Sequence, residues 1–153
     1  MSRPDAALVT EVRLRAGGRC EYCRSPEAHA VIPFEVEHII SLKHRGETTA
    51  ANLAFACFYC NRYKGPNVAG ITEPGGAVVR LFHPRLDAWA DHFAWDGPLL
   101  VPRSDVGAGD DCCAADQSAE RDGCARSLDE RRHVVAACAD ATRAISARTP
   151  SGV

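Results

Sequence analysis

Cys20-Glu21-Tyr22-Cys23 and Cys57-Phe58-Tyr59-Cys60, with the 33 residues 24–56 between them, decide how this chain folds. Two residues between cysteines make a tight turn that points both sulfurs to one side. Two such turns facing each other close a tetrahedron of thiolates around Zn²⁺. Gly17-Gly18 precedes the first pair, and the second opens a predicted helix over Cys57–Lys64 that Gly65-Pro66 ends. Four buried free cysteines, or a redox CxxC, would leave the matched second pair as a coincidence. A closed four-sulfur site keeps no position open for water or substrate, so the zinc would be structural and any chemistry must lie elsewhere. The other cysteines, Cys112, Cys113, Cys124 and Cys138, show no comparable spacing.

The rest of the composition sets bounds. A chain of 153 residues, 46% hydrophobic and 25% charged, suits one compact domain and argues against wholesale disorder. It contains no run of 18 apolar residues, and its charged N-terminus lacks a secretion core; the expectation is a cytoplasmic protein with no membrane span. Eight cysteines are many for a compartment where disulfides are rarely kept, which again favours metal binding. Eighteen basic against twenty acidic side chains give a net charge of −2, so bulk charge lends nothing to nucleic-acid binding. Such binding must come from a local site.

Outward from the cysteines, residues 5–16 read as a helix stopped by Gly17-Gly18, with Leu8, Val9, Val12 and Ala16 at helical spacing. Val31–Ile40 is β-branched and partly alternating, a predicted strand, and the polar segment 41–51 is a loop. Leu53–Ala56 is a second strand returning beside the first. A turn at Pro74-Gly75-Gly76 precedes a third strand over 78–82, and 86–95 reads as a last aromatic helix or turn. No internal repeat is present. From Pro102 onward the 52 residues contain no Phe, Tyr or Trp, one Leu and one Ile, against eleven Ala. Such a stretch buries too little apolar surface to offset its ordering entropy, although a weak helix over 126–147 is compatible with its composition.

Between the knuckles lie the residues that can carry chemistry. Glu37 and His38 are adjacent on a strand, so their side chains leave on opposite faces unless the chain bends. A carboxylate turned to a metal and an imidazole turned to a water would be served by that divergence. Asn61, on the first turn of the helix, offers a neutral oxygen; with Glu37 it makes a donor set for a hard cation such as Mg²⁺. His38 titrates near neutrality and can take a proton from water. Asn52 can hold the loop or the imidazole. Taken singly, each has a plain structural reading: an exposed histidine, a surface carboxylate, a turn cap, a helix-start hydrogen bonder. His83 and His92 are expected to pack among Phe82, Trp89, Phe93 and Trp95 rather than to touch substrate.

Cys20-Glu-Tyr-Cys23, Val36-Glu37-His38-Ile39-Ile40, Asn52-Leu53 and Cys57-Phe-Tyr-Cys60-Asn61-Arg-Tyr-Lys64-Gly65 together resemble the zinc-containing branch of the HNH endonucleases. Leu81-Phe82-His83-Pro84-Arg85, with Trp89 and His92-Phe93, is similar to the extension that follows the core in many bacterial members. The resemblance implies a small α+β fold: a ββα-metal unit within a treble-clef-like four-cysteine zinc finger, followed by a short β/α extension. Its nuclease domain would span 1–101, core 17–67 and extension 68–101. The 102–153 tail would be either natural and unpacked or the product of a shifted reading frame.

The same resemblance implies metal-dependent hydrolysis of DNA phosphodiesters. His38 falls at the general base and Asn52 at the residue orienting it. Glu37 and Asn61 fall at the ligands of a catalytic Mg²⁺ or Mn²⁺. With Asn61 where His is usual, the chain is an H-N-N variant. Ser41 stands where Pro is frequent, and a single Gly46 where Gly-Gly is common. Lys43, Arg45, Arg62 and Lys64 are placed to neutralise DNA phosphates. The competing expectation is a zinc-finger nucleic-acid-binding protein without hydrolytic activity. The sequence leaves the oligomeric state open.

Overall fold

The computed structural model describes residues 3–72, 74–97 and 99–110. Helix α1 spans Ala6–Ala16, as its capping signals predict: the Asp5 carboxylate accepts from Leu8 N at 2.8 Å, and Gly17 closes the last turn. After the first cysteine pair, strand β1 (Glu35–His38) runs antiparallel to β2 (Leu53–Ala56), pairing Glu35 with Ala56 and His38 with Leu53. Helix α2 (Phe58–Lys64) follows at once, with Cys57 at its N-cap. The order β1, β2, α2 is the expected ββα unit. Both α1 and α2 pack against β2, which is buried along its whole length. That explains why Leu-Ala-Phe-Ala is uniformly apolar rather than alternating.

The first strand is shorter than the ten residues expected. Val31 is fully solvated and Pro33 supplies no ladder donor, so pairing begins only at Glu35. The loop predicted at 41–51 is present and contains two single 3₁₀ turns, Leu42–His44 and Ala50–Asn52.

The extension is built from hairpins. Strand β3 (Ala69–Ile71) pairs with β4 (Val78–Arg80), and α3 (Trp89–His92) leads into β5 (Phe93–Asp96) paired with β6 (Leu99–Pro102). The helix or turn expected over 86–95 is a single helical turn in its middle, which passes directly into a strand. Asp96-Gly97, a hairpin signal, was present in the sequence to announce the change, and Gly97 carries a φ of 57°.

The folded unit also runs past residue 101. Helix α4 (Asp105–Ala108) packs on α3, β4 and β6, with the Ser104 hydroxyl accepting from Gly107 N. A Cβ on Gly107 would lie 2.2 Å from the His92 carbonyl oxygen, so the backbone sits flush against α3 and only glycine fits. The expectations for the tail, whether natural or frame-shifted, and for a weak helix over 126–147 lie outside the described residues beyond 110. Among the described residues no helix is long and apolar enough to cross a membrane.

One core serves both parts. Val12, Leu53, Phe55 and the cysteines join Phe82, Phe93 and Leu100 of the extension in a single buried cluster. Two indoles tie the extension to the first knuckle: Trp89 Nε1 donates to the Tyr22 carbonyl at 2.6 Å and Trp95 Nε1 to the Cys23 carbonyl at 3.0 Å. Glu21, between those cysteines, is buried and accepts from Phe55 N at 2.8 Å and from Arg15 and Arg85. Those hydrogen bonds hold its carboxyl below the ordinary range against the upward push of burial.

Candidate active site and zinc knuckles

The sulfur-bearing side chains of Cys20, Cys23, Cys57 and Cys60 converge, with all four Sγ atoms within 4.8 Å of one another and all four residues buried. A tetrahedral Zn²⁺ with bonds near 2.3 Å requires sulfur–sulfur edges of about 3.8 Å; Cys23 Sγ and Cys57 Sγ lie 3.9 Å apart. Backbone amides support the sulfurs: Cys57 N donates to Cys20 Sγ and Cys60 N to Cys57 Sγ, each at 3.4 Å. Hydrogen bonds from the Cys20 and Cys23 thiols bring the Cys57 thiol down to about 3, while burial and the neighbouring cysteines push the Cys20 thiol well up, so that without a metal the negative charge of the cluster falls on Cys57. The donor set fits a structural Zn²⁺.

His38 ends β1, half-buried, with its ring Nε2 3.0 Å from Thr48 Oγ1. Burial, and then the Lys64 charge, lower its pKa from the ordinary 6.5. Asn52 does not touch the imidazole. Its Oδ1 accepts from Ile40 N at 2.9 Å, while its Nδ2 donates to Ile40 O at 2.9 Å and Glu47 O at 2.8 Å. One amide thereby pins both ends of the 40–47 loop, and that loop delivers Thr48 to the histidine. Gly46 makes the approach possible: a Cβ there would lie 1.8 Å from Ile40 O and 2.7 Å from Asn52 Nδ2. The single glycine kept at this position is thus the one that the loop needs. Thr48 was not foreseen, because a threonine in a polar loop carries no distinguishing pattern.

The remaining expectations divide. Lys43 and Arg45 on the pinned loop, and Arg62 on α2, stand exposed. Lys64 does not: only 3% exposed, it turns inward and donates to Glu37 Oε2 at 3.1 Å, His38 O at 3.0 Å and Gly65 O at 3.3 Å. Its assignment as a phosphate contact is corrected, because the helix face that carries it is the one packed on β1. Glu37 is 9% exposed, and the Tyr22 hydroxyl donates to its second oxygen. Burial raises the Glu37 carboxyl while Lys64 and Tyr22 pull it back. Asn61 reaches Glu35 instead, its Nδ2 donating to Glu35 Oε2 at 2.9 Å. Glu35 and Glu37 share one face of β1, two residues apart, and α2 lays Asn61 beside the first and Lys64 beside the second.

A divalent cation therefore fits Glu37 poorly, since both its oxygens are committed, one of them to a cation; Asn61 bonds Glu35 through Nδ2, which leaves its ligating Oδ1 available. Of the two histidines, His92 packs against an aromatic ring as expected, whereas His83 is held by a local turn hydrogen bond. His83 Nδ1 accepts from Arg85 N, while His92 stacks edge-on to Phe82 and bonds Ser104 Oγ at 2.6 Å.

Fold and site together define a zinc-knuckled ββα unit with a loop-anchored histidine at its rim. Residues 20–67 match the family model described as HNH endonuclease, and the four clustered cysteines lie within that match. The match supports a nuclease-type function. None of the curated proteins compared with the chain matches it.

Proposed function

We propose that the chain is an endonuclease that hydrolyses DNA phosphodiester bonds, with His38 as the base that takes a proton from the attacking water. The observation that carries this reading is the mounting of His38: a half-buried imidazole, held by Thr48 and by a loop that Asn52 pins, between two zinc knuckles. With Nε2–H donating to Thr48, the basic lone pair sits on Nδ1. Water attacks phosphorus in line, its proton passes to the imidazole, and the 3′-oxygen leaves. Lys43, Arg45 and Arg62 supply phosphate contacts that give affinity without sequence choice.

The reading retains a divalent cation, Mg²⁺ or Mn²⁺, as a source of charge neutralisation at phosphate. No step is written through it, because both Glu37 oxygens are engaged otherwise. That engagement favours a second reading, a zinc-finger nucleic-acid-binding protein without hydrolysis.

Zinc-loaded protein incubated with supercoiled plasmid in Mg²⁺, in Mn²⁺ and in EDTA, beside His38→Ala, separates the two. Nicking that needs a divalent ion and disappears in the variant supports the nuclease. DNA retention by folded, zinc-bound wild type without nicking supports the binder.

A further inference from the structure

A lysine ammonium has three donors, and at Lys64 all three have acceptors: the Glu37 carboxylate, the His38 carbonyl and the Gly65 carbonyl, at 3.0–3.3 Å. The group is 3% exposed and its carboxylate partner 9%. The other Glu37 oxygen takes the hydroxyl of Tyr22, itself buried beside the zinc cysteines. Carboxylate, phenol and ammonium thus form a buried set in which a positive charge is already supplied, with the buried Asp110 carboxyl near enough to act electrostatically on Glu37 and Tyr22. A divalent ion could use Glu37 only by displacing the buried Tyr22 hydroxyl from Oε1, beside a fixed ammonium that opposes a second cation, or by expelling that ammonium from three acceptors, which leaves a buried cation unpaired.

We propose that Lys64 is the resident cation of the Glu37 site, a positioning residue. It permanently compensates that carboxylate and fixes the His38 carbonyl, so any divalent ion the chain takes is held without Glu37. The sequence encodes the arrangement in Glu37 on one face of β1 and Lys64 one turn after Asn61 on α2. His38, on the alternate face, keeps its ring clear of the pair while its carbonyl joins it. The consequence for cleavage rests on the nuclease reading; the identity of the cation at Glu37 does not, and metal binding measures it separately.

The test is Mn²⁺ binding to the full zinc-loaded chain, followed by the electron paramagnetic resonance of free Mn²⁺. Wild type, Glu37→Gln, Lys64→Met, Lys64→Arg and the double variant Lys64→Met/Glu37→Gln are compared at equal zinc content. Mn²⁺ does not compete for a four-thiolate site, so the zinc stays in place. Wild type and Glu37→Gln should bind Mn²⁺ alike within twofold. Lys64→Met should gain a site at least tenfold tighter, absent again in the double variant, and Lys64→Arg should behave as wild type. A tenfold or greater loss of Mn²⁺ affinity in Glu37→Gln overturns the proposal, since Glu37 would then be a ligand with Lys64 in place. Unchanged Mn²⁺ affinity in a folded Lys64→Met overturns it equally. Should Lys64→Met not fold, the comparison of wild type with Glu37→Gln decides alone. Absence of plasmid nicking in wild type counts against the nuclease reading and leaves the Mn²⁺ result intact.

Discussion

Replacing Asn52 by alanine should cost the protein both stability and loop order. The amide makes three hydrogen bonds of 2.8–2.9 Å to Ile40 N, Ile40 O and Glu47 O. Each is worth about 0.5–1.5 kcal/mol net; because Asn52 is half-exposed, water partly replaces the lost partners, and a total of about 2 kcal/mol follows. For a fold of this size that is a fall in Tm of about 10 °C and a shift of about 1 M in the urea midpoint. Asn52→Asp sharpens the test. It keeps the acceptor for Ile40 N but turns a carboxylate toward two carbonyl oxygens, so it should be at least as destabilising as alanine despite being isosteric. Urea melts at saturating zinc, read by circular dichroism, give the free energies. Single-turnover nicking gives the catalytic effect, which should be a tenfold or greater loss in rate with DNA affinity nearly unchanged, since the loop carries Thr48 to His38. An Asn52→Ala protein within 0.5 kcal/mol of wild type, or an Asn52→Asp protein equal to it, would refute the view that this amide is the anchor of the loop.

Two further outcomes are expected. His38 must be neutral to accept a proton, and burial, helped by Lys64, lowers its pKa below 6.5; the nicking rate should therefore rise with pH along an acidic limb whose midpoint lies below 6.5 and be level through neutrality, and a midpoint at or above that value contradicts the proposed environment. Removal of zinc by a strong chelator, or Cys57→Ala, should collapse the ββα unit together with the extension, because the cysteines belong to the same buried cluster as Phe82 and Phe93; native-like circular dichroism and retained indole fluorescence in a protein measured to contain no zinc would speak against a metal-held core.

The local sequence determined the knuckles and the unit they enclose. Two CxxC pairs mark four metal ligands by their spacing, Asp5 and Gly17 bracket a helix by the rules of capping, and the short apolar Leu53–Ala56 reads as a strand returning beside the first. The histidine, its loop-pinning asparagine and the resemblance that the family match over 20–67 supports were legible in the same ordered motifs. What the sequence left open depends on which side chains meet across elements. A lysine on a helix reads as solvated until the helix face is known, and only the packing of α2 on β1 turns Lys64 inward to Glu37 and leaves Asn61 to Glu35. Thr48 reaches His38 through a loop whose path is fixed by hydrogen bonds with no periodic signature. The inclusion of residues 102–110 was equally hidden, and of the β5–β6 hairpin the sequence carried only the Asp96-Gly97 turn signal. A glycine flush against a carbonyl, and an indole bonded to a knuckle backbone, are made by contacts distant in the chain. Local chemistry fixes turns, caps and metal ligands; the partner of each charge is settled only when the surfaces close.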